Sequence, residues 1–218
     1  MPAIVYKNAA GKRVASVTTV LKQLGWSTDA LMWWSWNEGI EGRNYRDSSG
    51  RSADVGTVVH AAIEADLKGE PFDVVALDGL DSEQQDSASR ALDAWEAWKE
   101  QTRLEAVASE QSMVSERHQF GGTLDMCMIH KRRSILDIKT SKGLYPNVLM
   151  QIRAYGELWQ EVHGEPVEDY YVLRLGKADA SFHHHSWPAD SPSMDAAWDG
   201  FRHCLALRKI ERTLKGAV

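Results

Sequence analysis

The stretch "SILDIKTSKG" (134–143) reads as a β-strand that carries an acid and a base at its centre. Side chains alternate along a strand, so Leu136 and Ile138 point to one face while Asp137 and Lys139 point to the other. A half-buried strand with a wet face produces the same pattern, and the triplet alone is therefore weak evidence of a site. The rest of the chain has to distinguish these two interpretations.

Helical and strand periods alternate along the chain in an order that predicts an α/β (α+β) fold, with a mixed central sheet flanked by helices. Pro146 suits the first turn of the fifth helix, and Ser82 with Gln85 predicts a capping box for the fourth. The expected helices are 16–25, 28–39, 54–69, 82–101, 145–162 and 193–215, and the expected strands are 105–114, 120–129, 134–140, 168–175 and 180–187.

No segment between these elements looks like a domain linker, so we expect a single domain over 1–218. Its parts would be a helical N-terminal region (about 14–103), a sheet core (about 105–187) and a C-terminal helix (about 193–215). Mobile loops are expected at 42–52, 69–82 and 189–193, which are rich in turn-forming residues.

Composition is typical of a soluble globular protein, with 43% hydrophobic and 26% charged residues among 218. The N-terminus has no signal-peptide pattern, and no apolar run is long enough for a membrane span. Two cysteines, Cys127 and Cys204, cannot build a disulfide framework or a four-cysteine iron–sulfur site. These features predict a cytoplasmic protein with no membrane partner.

Charge is distributed unevenly. The net charge of −6 argues weakly against a nucleic-acid partner. However, residues 54–110 hold fourteen acids and four bases, whereas residues 117–153 hold seven bases and two acids. The two acids inside the basic stretch, Asp125 and Asp137, are therefore of interest, although "HKRR" (130–133) could also be a solvated loop.

The hairpin around 130–133 determines how close these two acids lie. Pairing residue 130 with residue 133 places Asp125 opposite residue 138 and next to Asp137, roughly 5 Å away. Two carboxylates at that distance repel each other unless a cation lies between them. Mg²⁺ is a hard cation that prefers such ligands. The alternative is a slipped register, with one surface acid and one acid at a buried edge.

Other polar groups share helix faces. Gly56, His60 and Glu64 recur every four residues, so His60 is a candidate metal ligand and Glu64 a candidate orienting group, unless His60 is simply a partly buried residue. Gln151 and Tyr155 are also four apart, and their polar tips could reach a phosphate, unless Tyr155 is a core residue. The glycine pair 121–122 before Asp125 indicates either a close approach of the backbone to another group or an ordinary hairpin bulge.

Four motifs in this order carry a family resemblance: "GTVVHAAIE", "GGTLD", "LDIKT" and "QIRAY". Together they resemble the PD-(D/E)XK nuclease superfamily, in particular its RecB-type and phage exonuclease branch and the related mitochondrial single-strand exonuclease. The likeness covers about 54–159, and "SVTTVL" with "ALMWW" resembles the opening of that group. It implies a restriction-endonuclease-like core and a Mg²⁺- or Mn²⁺-dependent deoxyribonuclease. The family's Pro-Asp is replaced by Leu124-Asp125.

The resemblance also implies roles for individual residues. Metal ligands would be Asp125, Asp137, the backbone carbonyl of Ile138 and His60, with either Glu110 or Glu116 as a further acid. Lys139 would orient or activate the attacking water and stabilise charge on the phosphate, and Gln151 and Tyr155 would support the site. The expected DNA-binding residues are Arg132, Arg133, Lys142 and Arg153.

The expected function is exonucleolytic hydrolysis of DNA from single-stranded or duplex ends, in recombination or repair. The setting would be a bacterial or phage-infected host cell, with a single-strand annealing protein or a helicase as partner. The alternatives are a non-catalytic DNA-binding or assembly protein on the same fold, and a structure-specific endonuclease. Retention of Asp125, Asp137 and Lys139 favours the enzyme.

Two aromatic or imidazole runs are open to two interpretations each. "HHH" (183–185) could bind a metal, but consecutive strand residues point to opposite faces, so we expect no site there. "WWSW" (33–36) could stack on bases, as aromatic side chains do in single-strand binding proteins. We expect these tryptophans in the core instead.

Overall fold

The computed structural model describes residues 4–26 and 28–217; the ends of the expected domain, 1–3 and 218, and Ser27 lie outside it. No helix within those ranges is long and apolar enough to cross a lipid bilayer. The helices are α1 (Val17–Leu21), α2 (Thr28–Ile40), α3 (Tyr45–Lys68), α4 (Ser82–Thr102), α5 (Asn147–His163) and α6 (Pro192–Lys215), and a 3₁₀ turn covers Val74–Leu77. The strands are β1 (Ala15–Ser16), β2 (Glu105–Ser115), β3 (Phe120–His130), β4 (Arg132–Lys139), β5 (Asp169–Leu175) and β6 (Phe182–Pro188).

The start of α3 and the capping residues of α4 differ from the sequence prediction. The loop expected over 42–52 is wrong from Tyr45 onward, because Asn44 caps α3 by accepting a hydrogen bond from the Arg46 amide at 3.0 Å. The first two turns of α3 are polar and exposed, so they show no apolar period. In α4 the capping box is formed by Asp81 with Gln84, one residue before the expected pair.

The six strands form one mixed sheet in the order β1-β3-β4-β5-β6, and β2 pairs with β3 as well. The pairs β2–β3, β3–β4 and β5–β6 are antiparallel, whereas β1–β3 and β4–β5 are parallel. Because β2 pairs along nearly all of β3, β1 and β4 share the opposite edge of β3. The expected mixed sheet flanked by helices is confirmed.

Helices cover both faces of the sheet. One core packs α1, α5 and α6 against it and contains Ile135, whereas the other packs α3 and α4 and contains Leu136. Strand β4 is therefore buried on both faces, and Asp137 has no exposed surface. A strand with a wet face is the wrong interpretation of 134–143, and Asp137 must be explained as a buried acid.

The glycine pair in β3 lets two tyrosines approach the strand. A Cβ atom on Gly121 would lie 2.6 Å from the Tyr6 ring, and one on Gly122 would lie 2.8 Å from the Tyr155 ring. The β2–β3 ladder is regular here and pairs Gly122 with Met113, so the hairpin-bulge alternative is wrong. The segment around Tyr6, which the sequence analysis did not assign, thus packs on the sheet.

Gly122→Ala is expected to destabilise the protein by about 1–3 kcal/mol, because the new methyl group overpacks a site already in contact with Tyr155 and Val17. Urea denaturation measures the change in the free energy of unfolding. Gly143→Ala is the matched control, since a Cβ there meets nothing within 4 Å. Equal stability of the two variants would contradict the close contact between Gly122 and the Tyr155 ring.

Candidate active site

The candidate site lies at a fork where β3 and β4 separate. Their antiparallel ladder ends at Met126 with Leu136, and β1 occupies the same edge of β3 only at Phe120 and Gly121. Residues 122–125 of β3 therefore have no strand partner on that edge among residues 4–26 and 28–217. A gap of this kind leaves backbone groups and side chains free to face a ligand.

The register of the hairpin differs by one residue from the expected one. His130 pairs with Arg132 rather than with residue 133, and Lys131 makes the tight turn with a φ of 65°. Asp125 nevertheless reaches the end of β4, since its Oδ2 atom accepts a hydrogen bond of 2.6 Å from the Ile138 amide. The two acids are thus brought to one place, as the sequence predicted, by a different pairing.

Glu110 joins this site from β2. The β2–β3 ladder pairs Ser109 with Met126 and Gln111 with Leu124, so Glu110 lies across from Asp125. Its φ of 47° is uncommon for a residue other than glycine and is found preferentially at functional sites. The other candidate acid, Glu116, accepts a hydrogen bond from the Ala9 amide at the far end of β2. The geometry therefore selects Glu110.

His60 reaches the fork from α3. Its Nδ1 atom lies 3.6 Å from Glu110 Oε1 and 3.7 Å from Asp125 Oδ1. One ligand atom from each of these three residues lies within 4.8 Å of the others. Gly56, one turn before His60, allows the helix to approach β4, because a Cβ there would lie 3.3 Å from Thr140 Oγ1. Glu64 pairs with Lys68 and does not orient His60, contrary to expectation.

Asp137 and Lys139 form an ion pair beside this cluster, with Nζ 2.6 Å from Oδ2. Apart from this ammonium, no donor among the described residues reaches either carboxylate oxygen of Asp137. Burial raises the pKa of Asp137 to about 6, and the nearby Asp125 adds to the rise, whereas Lys139 opposes it. A buried carboxylate with an unsatisfied oxygen is a costly feature that a cation would relieve.

Lys139 and His60 are both cationic in this setting. Burial favours the neutral amine of Lys139, but Asp137 and Asp125 outweigh it and raise its pKa. Burial likewise favours neutral His60, yet the charges of Asp125 and Glu110 raise its pKa to about 9. Without a bound cation, these two side chains neutralise part of the carboxylate charge.

Binding of a divalent cation at this site is therefore expected to release a proton near pH 7.5. His60 is protonated there, and only a neutral imidazole can act as a metal ligand. Affinity for Mn²⁺ should rise with pH up to about 9. Calorimetric titrations in two buffers of different ionisation enthalpy count the proton, and His60→Asn should remove most of it. If the His60→Asn variant released as many protons as the wild type, His60 would not be the metal ligand that loses its proton.

Tyr155 and Gln151 approach the fork from α5. Gln151 Nε2 donates a hydrogen bond of 3.0 Å to the Tyr155 hydroxyl. Burial, together with the charges of Asp137 and Asp125, raises the pKa of Tyr155 well above its usual value. Its phenol is therefore neutral and keeps its proton available for donation to an anion.

Tyr6 is a neighbour of the site that sequence reasoning missed. Its hydroxyl lies 2.8 Å from Thr123 Oγ1, two residues before Asp125. The signal that could have found it is the glycine pair, since Gly121 has to accommodate a ring. The identity of that ring could not be read from the sequence, because residues 121 and 6 are far apart in the chain.

The four expected DNA-binding residues occupy different places. Lys142 is exposed in the loop that follows β4. Arg132 and Arg133 begin that strand, about 17 and 13 Å respectively from Asp137 at roughly 3.3 Å per residue, and Arg133 pairs with Glu165 at 3.3 Å.

Arg153 is directed elsewhere. It pairs with Glu157 at 3.2 Å and lies over the Trp198 ring at 5.2 Å. These contacts hold α5 against α6, so the charge of the Arg153 guanidinium is engaged within the fold.

The imidazole run (183–185) lies outside the cluster of possible metal ligands. Within the described residues, the cluster capable of holding an ion is that of His60, Glu110 and Asp125. The run lies exposed on β6, and His184 Nδ1 accepts a hydrogen bond of 3.2 Å from the Trp98 indole. The expectation that the tryptophans of 33–36 are core residues is wrong, as Trp33 and Trp36 are 67% and 63% exposed.

No protein-family model matches this sequence, and no curated protein matches it. Among solved structures, the fold is similar to that of a candidate exonuclease from Eubacterium rectale, with a TM-score of 0.51 and 12% identity over 75% of this chain and 69% of that one. A phage-related exonuclease from Haemophilus somnus gives a TM-score of 0.40 at 13% identity, over 74% and 83% of the two chains. An alkaline exonuclease from Laribacter hongkongensis gives 0.36 at 12% identity, over 77% and 91%.

The first of these likenesses establishes the fold. The predicted mixed α/β fold, a central sheet flanked by helices, is thereby confirmed. At such low identity the likeness extends to the fold alone, and the chemistry has to be argued from the residues at the fork.

Proposed function

We propose that this protein is a divalent-metal-dependent deoxyribonuclease that hydrolyses phosphodiester bonds from DNA ends. The observation that supports it is the meeting of Asp125, Asp137 and Lys139 at the fork, beside His60 and Glu110. Carboxylates, an imidazole and an ammonium in one partly open cluster suit phosphoryl transfer, which needs a cation and positive charge around the phosphate.

The residues at the fork fit a divalent cation. Asp137 is a buried carboxylate with an unsatisfied oxygen, and the cluster of His60, Glu110 and Asp125 converges from three elements. The Ile138 carbonyl is a further proposed ligand, because the amide of that residue already points at Asp125. Mg²⁺ or Mn²⁺ bound there would supply Lewis-acid chemistry toward the phosphodiester and toward water.

The other side chains act on the substrate. Lys139 stays protonated because Asp137 holds it, so it stabilises negative charge on the phosphate as a fixed cation rather than removing a proton. The Asp137 partner also fixes where the ammonium lies. The neutral phenol of Tyr155, held by Gln151, donates to an anionic oxygen. These groups are present before the substrate binds, which reduces reorganisation during the reaction.

The DNA backbone is proposed to enter from the loop after β4. Lys142 is exposed there, three residues beyond Lys139. Arg132 and Arg133 lie at the opposite end of β4 and would contact only DNA that extends across the sheet. Arg153 is left out of the proposed surface, since Glu157 and Trp198 occupy its guanidinium.

Glu110→Gln is expected to weaken Mn²⁺ binding at least tenfold, because it removes one anionic ligand from a cluster of three. Glu116→Gln, one residue past the end of β2, is the matched control, and it should leave the affinity unchanged, since Glu116 accepts a hydrogen bond from the Ala9 amide. Calorimetry or metal-dependent thermal shifts measure the difference. Equal effects of the two variants would remove Glu110 from the ligand set.

The test of the function is cleavage of DNA labelled at either end, in Mg²⁺ or Mn²⁺, beside closed circular DNA. We expect shortening of linear substrates from an end, no cleavage of circles, and no reaction in EDTA. The labelled end that is lost first gives the polarity. Rapid cutting of circular single strands would instead favour a structure-specific endonuclease, and no cleavage of any DNA would refute the proposal.

The proposed setting is recombination or repair, in bacterial or phage DNA metabolism. An end-processing nuclease needs single strands to be annealed or duplexes to be opened, so an annealing protein or a helicase is the partner we propose. Co-purification of the tagged chain with such a protein from cells that express both would support this part.

A further inference from the structure

Helix α2 exposes an apolar face that the proposed catalytic role does not use. Trp33, Trp36 and Ile40 stand at positions i, i+3 and i+7, so they share one side of the helix. Their exposed fractions are 67%, 63% and 64%. We call these three residues the tryptophan face. Contiguous exposure of large apolar side chains on a soluble protein marks an interaction site.

The opposite side of α2 fastens the helix to the body. Glu38 is buried and accepts hydrogen bonds from Arg43 and Ser48, near the start of α3. The Trp34 ring meets the Tyr45 ring edge to face, with centroids 6.3 Å apart. The tryptophan face is therefore held outward by contacts on the reverse side and is fixed before any ligand binds.

Positively charged side chains surround the region between α2 and the fork. Lys142 lies close enough to Glu38 to help lower the pKa of that carboxyl, and Lys177 donates a hydrogen bond of 2.9 Å to Ser52 Oγ. Lys142 also acts on Lys177, whose pKa is lowered by burial first and by this like charge second. Arg46 lies over the Tyr45 ring at 5.8 Å.

Lys142, Lys177 and Arg46 form no ion pair with a carboxylate in the part of the chain that the structure describes. An anion between the neighbouring Lys142 and Lys177 ammonium groups is favoured, because within the described residues neither has a carboxylate at ion-pair distance. Aromatic surfaces beside unpaired cations are the combination that binds single-stranded nucleic acid, in which bases stack on rings and phosphates meet the charges.

We propose that the tryptophan face is a base-stacking platform for single-stranded DNA, whose backbone passes Lys142 and Lys177 on its way to the fork. The proposal rests on the nuclease function above and names its substrate class, a single-stranded end. Bases in a duplex are paired and stacked, so they cannot lie on Trp33 or Trp36, whereas unpaired bases can. The platform would therefore select single strands over blunt duplexes.

A second copy of the chain is the competing occupant of this face. The flanking charges favour DNA, because Lys142, Lys177 and Arg46 would have to be buried or screened in a self-association, and lysine is depleted in protein interfaces. The position of the platform also favours DNA, as Lys142, in the loop that follows Lys139, lies near enough to Glu38 of α2 to help lower the pKa of that carboxyl. Sedimentation of the free protein distinguishes the two occupants.

The test measures binding in Ca²⁺ of a labelled 20-nucleotide oligothymidine and of a blunt duplex of equal length. Wild-type protein is expected to bind the single strand more tightly, with quenching of indole fluorescence. The variant with Trp33→Ala and Trp36→Ala should bind the single strand about tenfold or more weakly and the duplex almost unchanged. Replacing both tryptophans with phenylalanine should restore most of the loss, since a phenyl ring also stacks.

Leu214→Ala is the matched control, because Leu214 is 63% exposed on α6, in an apolar patch outside the platform. It should leave both affinities unchanged. Circular dichroism of the alanine variant confirms folding, which exposed positions should not disturb. Equal weakening for single strand and duplex, or no weakening, would overturn the proposal, as would a wild-type dimer that the alanine variant converts to a monomer.

The outcome separates the platform from the nuclease function. Binding is measured without cleavage, so a chain that cleaves no DNA would refute the function and still report on stacking. A chain that degrades single strands and blunt duplexes at equal rates, in wild type and alanine variant alike, would keep the function and lose the platform.

Discussion

Asp137→Asn is expected to reduce DNA cleavage about a thousandfold or more while making the metal-free protein more stable. The loss of activity follows from removing a buried anionic ligand of the proposed cation. The gain in stability follows from the same burial. The pKa of Asp137 is about 6 in the folded protein, against about 4 in an unfolded chain, so its ionised form is disfavoured by folding.

The raised pKa of Asp137 determines how the stability of the folded protein changes with pH. Between about pH 4 and pH 6 the folded protein holds the Asp137 proton and the unfolded chain has lost it, so stability falls as pH rises through this window. Above it the cost of the buried charge is present in full, up to about 3 kcal/mol. Asparagine carries no charge, so Asp137→Asn should remove the fall in stability between about pH 4 and pH 6.

Thermal unfolding in EDTA and in Mn²⁺ checks both parts of this prediction. Mn²⁺ should raise the midpoint of the wild type, because it compensates Asp137, and should raise that of Asp137→Asn much less. Asp190→Asn, at an exposed position, is the control and should behave as the wild type. Cleavage at the wild-type rate by Asp137→Asn would remove this residue from the site.

The order of helices and strands and the Asp125–Asp137–Lys139 grouping could be predicted because they depend on local periods and spacing. The hairpin register could not, since a tight turn at Lys131 with positive φ shifts the pairing by one residue. The acids still meet because Asp125 bonds to the end of β4 across the fork. A side chain that bridges a gap between strands tolerates a shift that a regular ladder would not.

Burial was the least predictable property. Alternation along β4 suggested a wet face for Asp137, but helices on both sides of the sheet cover it, and such layering is a long-range property. The tryptophans of α2 were expected inside because of their hydrophobicity, although the helix contacts its neighbour mainly through Trp34 and Glu38. Strand β1 has two residues, too few for any period.

Lys139→Ala is expected to lower the cleavage rate about a hundredfold or more, the scale for one preorganised electrostatic group. The ammonium lies 2.6 Å from Asp137, and its raised pKa keeps it charged at the fork. Affinity for DNA should fall much less, because one phosphate contact among several is a small share of binding. Lys139→Arg should restore little activity, since the planar guanidinium is wider and directs its donors differently.

Single-turnover cleavage, measured beside DNA binding in Ca²⁺, separates the two possible roles of Lys139. A hundredfold slower reaction with nearly unchanged affinity is the result expected for a group that acts on the phosphate during the reaction. Equal losses of rate and affinity would make Lys139 a binding residue. If Lys139 were only a solvated surface lysine, the alanine variant would keep both the cleavage rate and the DNA affinity. Its free energy of unfolding would then change by about 0.5 kcal/mol or less. The alanine variant should instead lose more, because it leaves the buried Asp137 carboxylate without its only donor among the described residues.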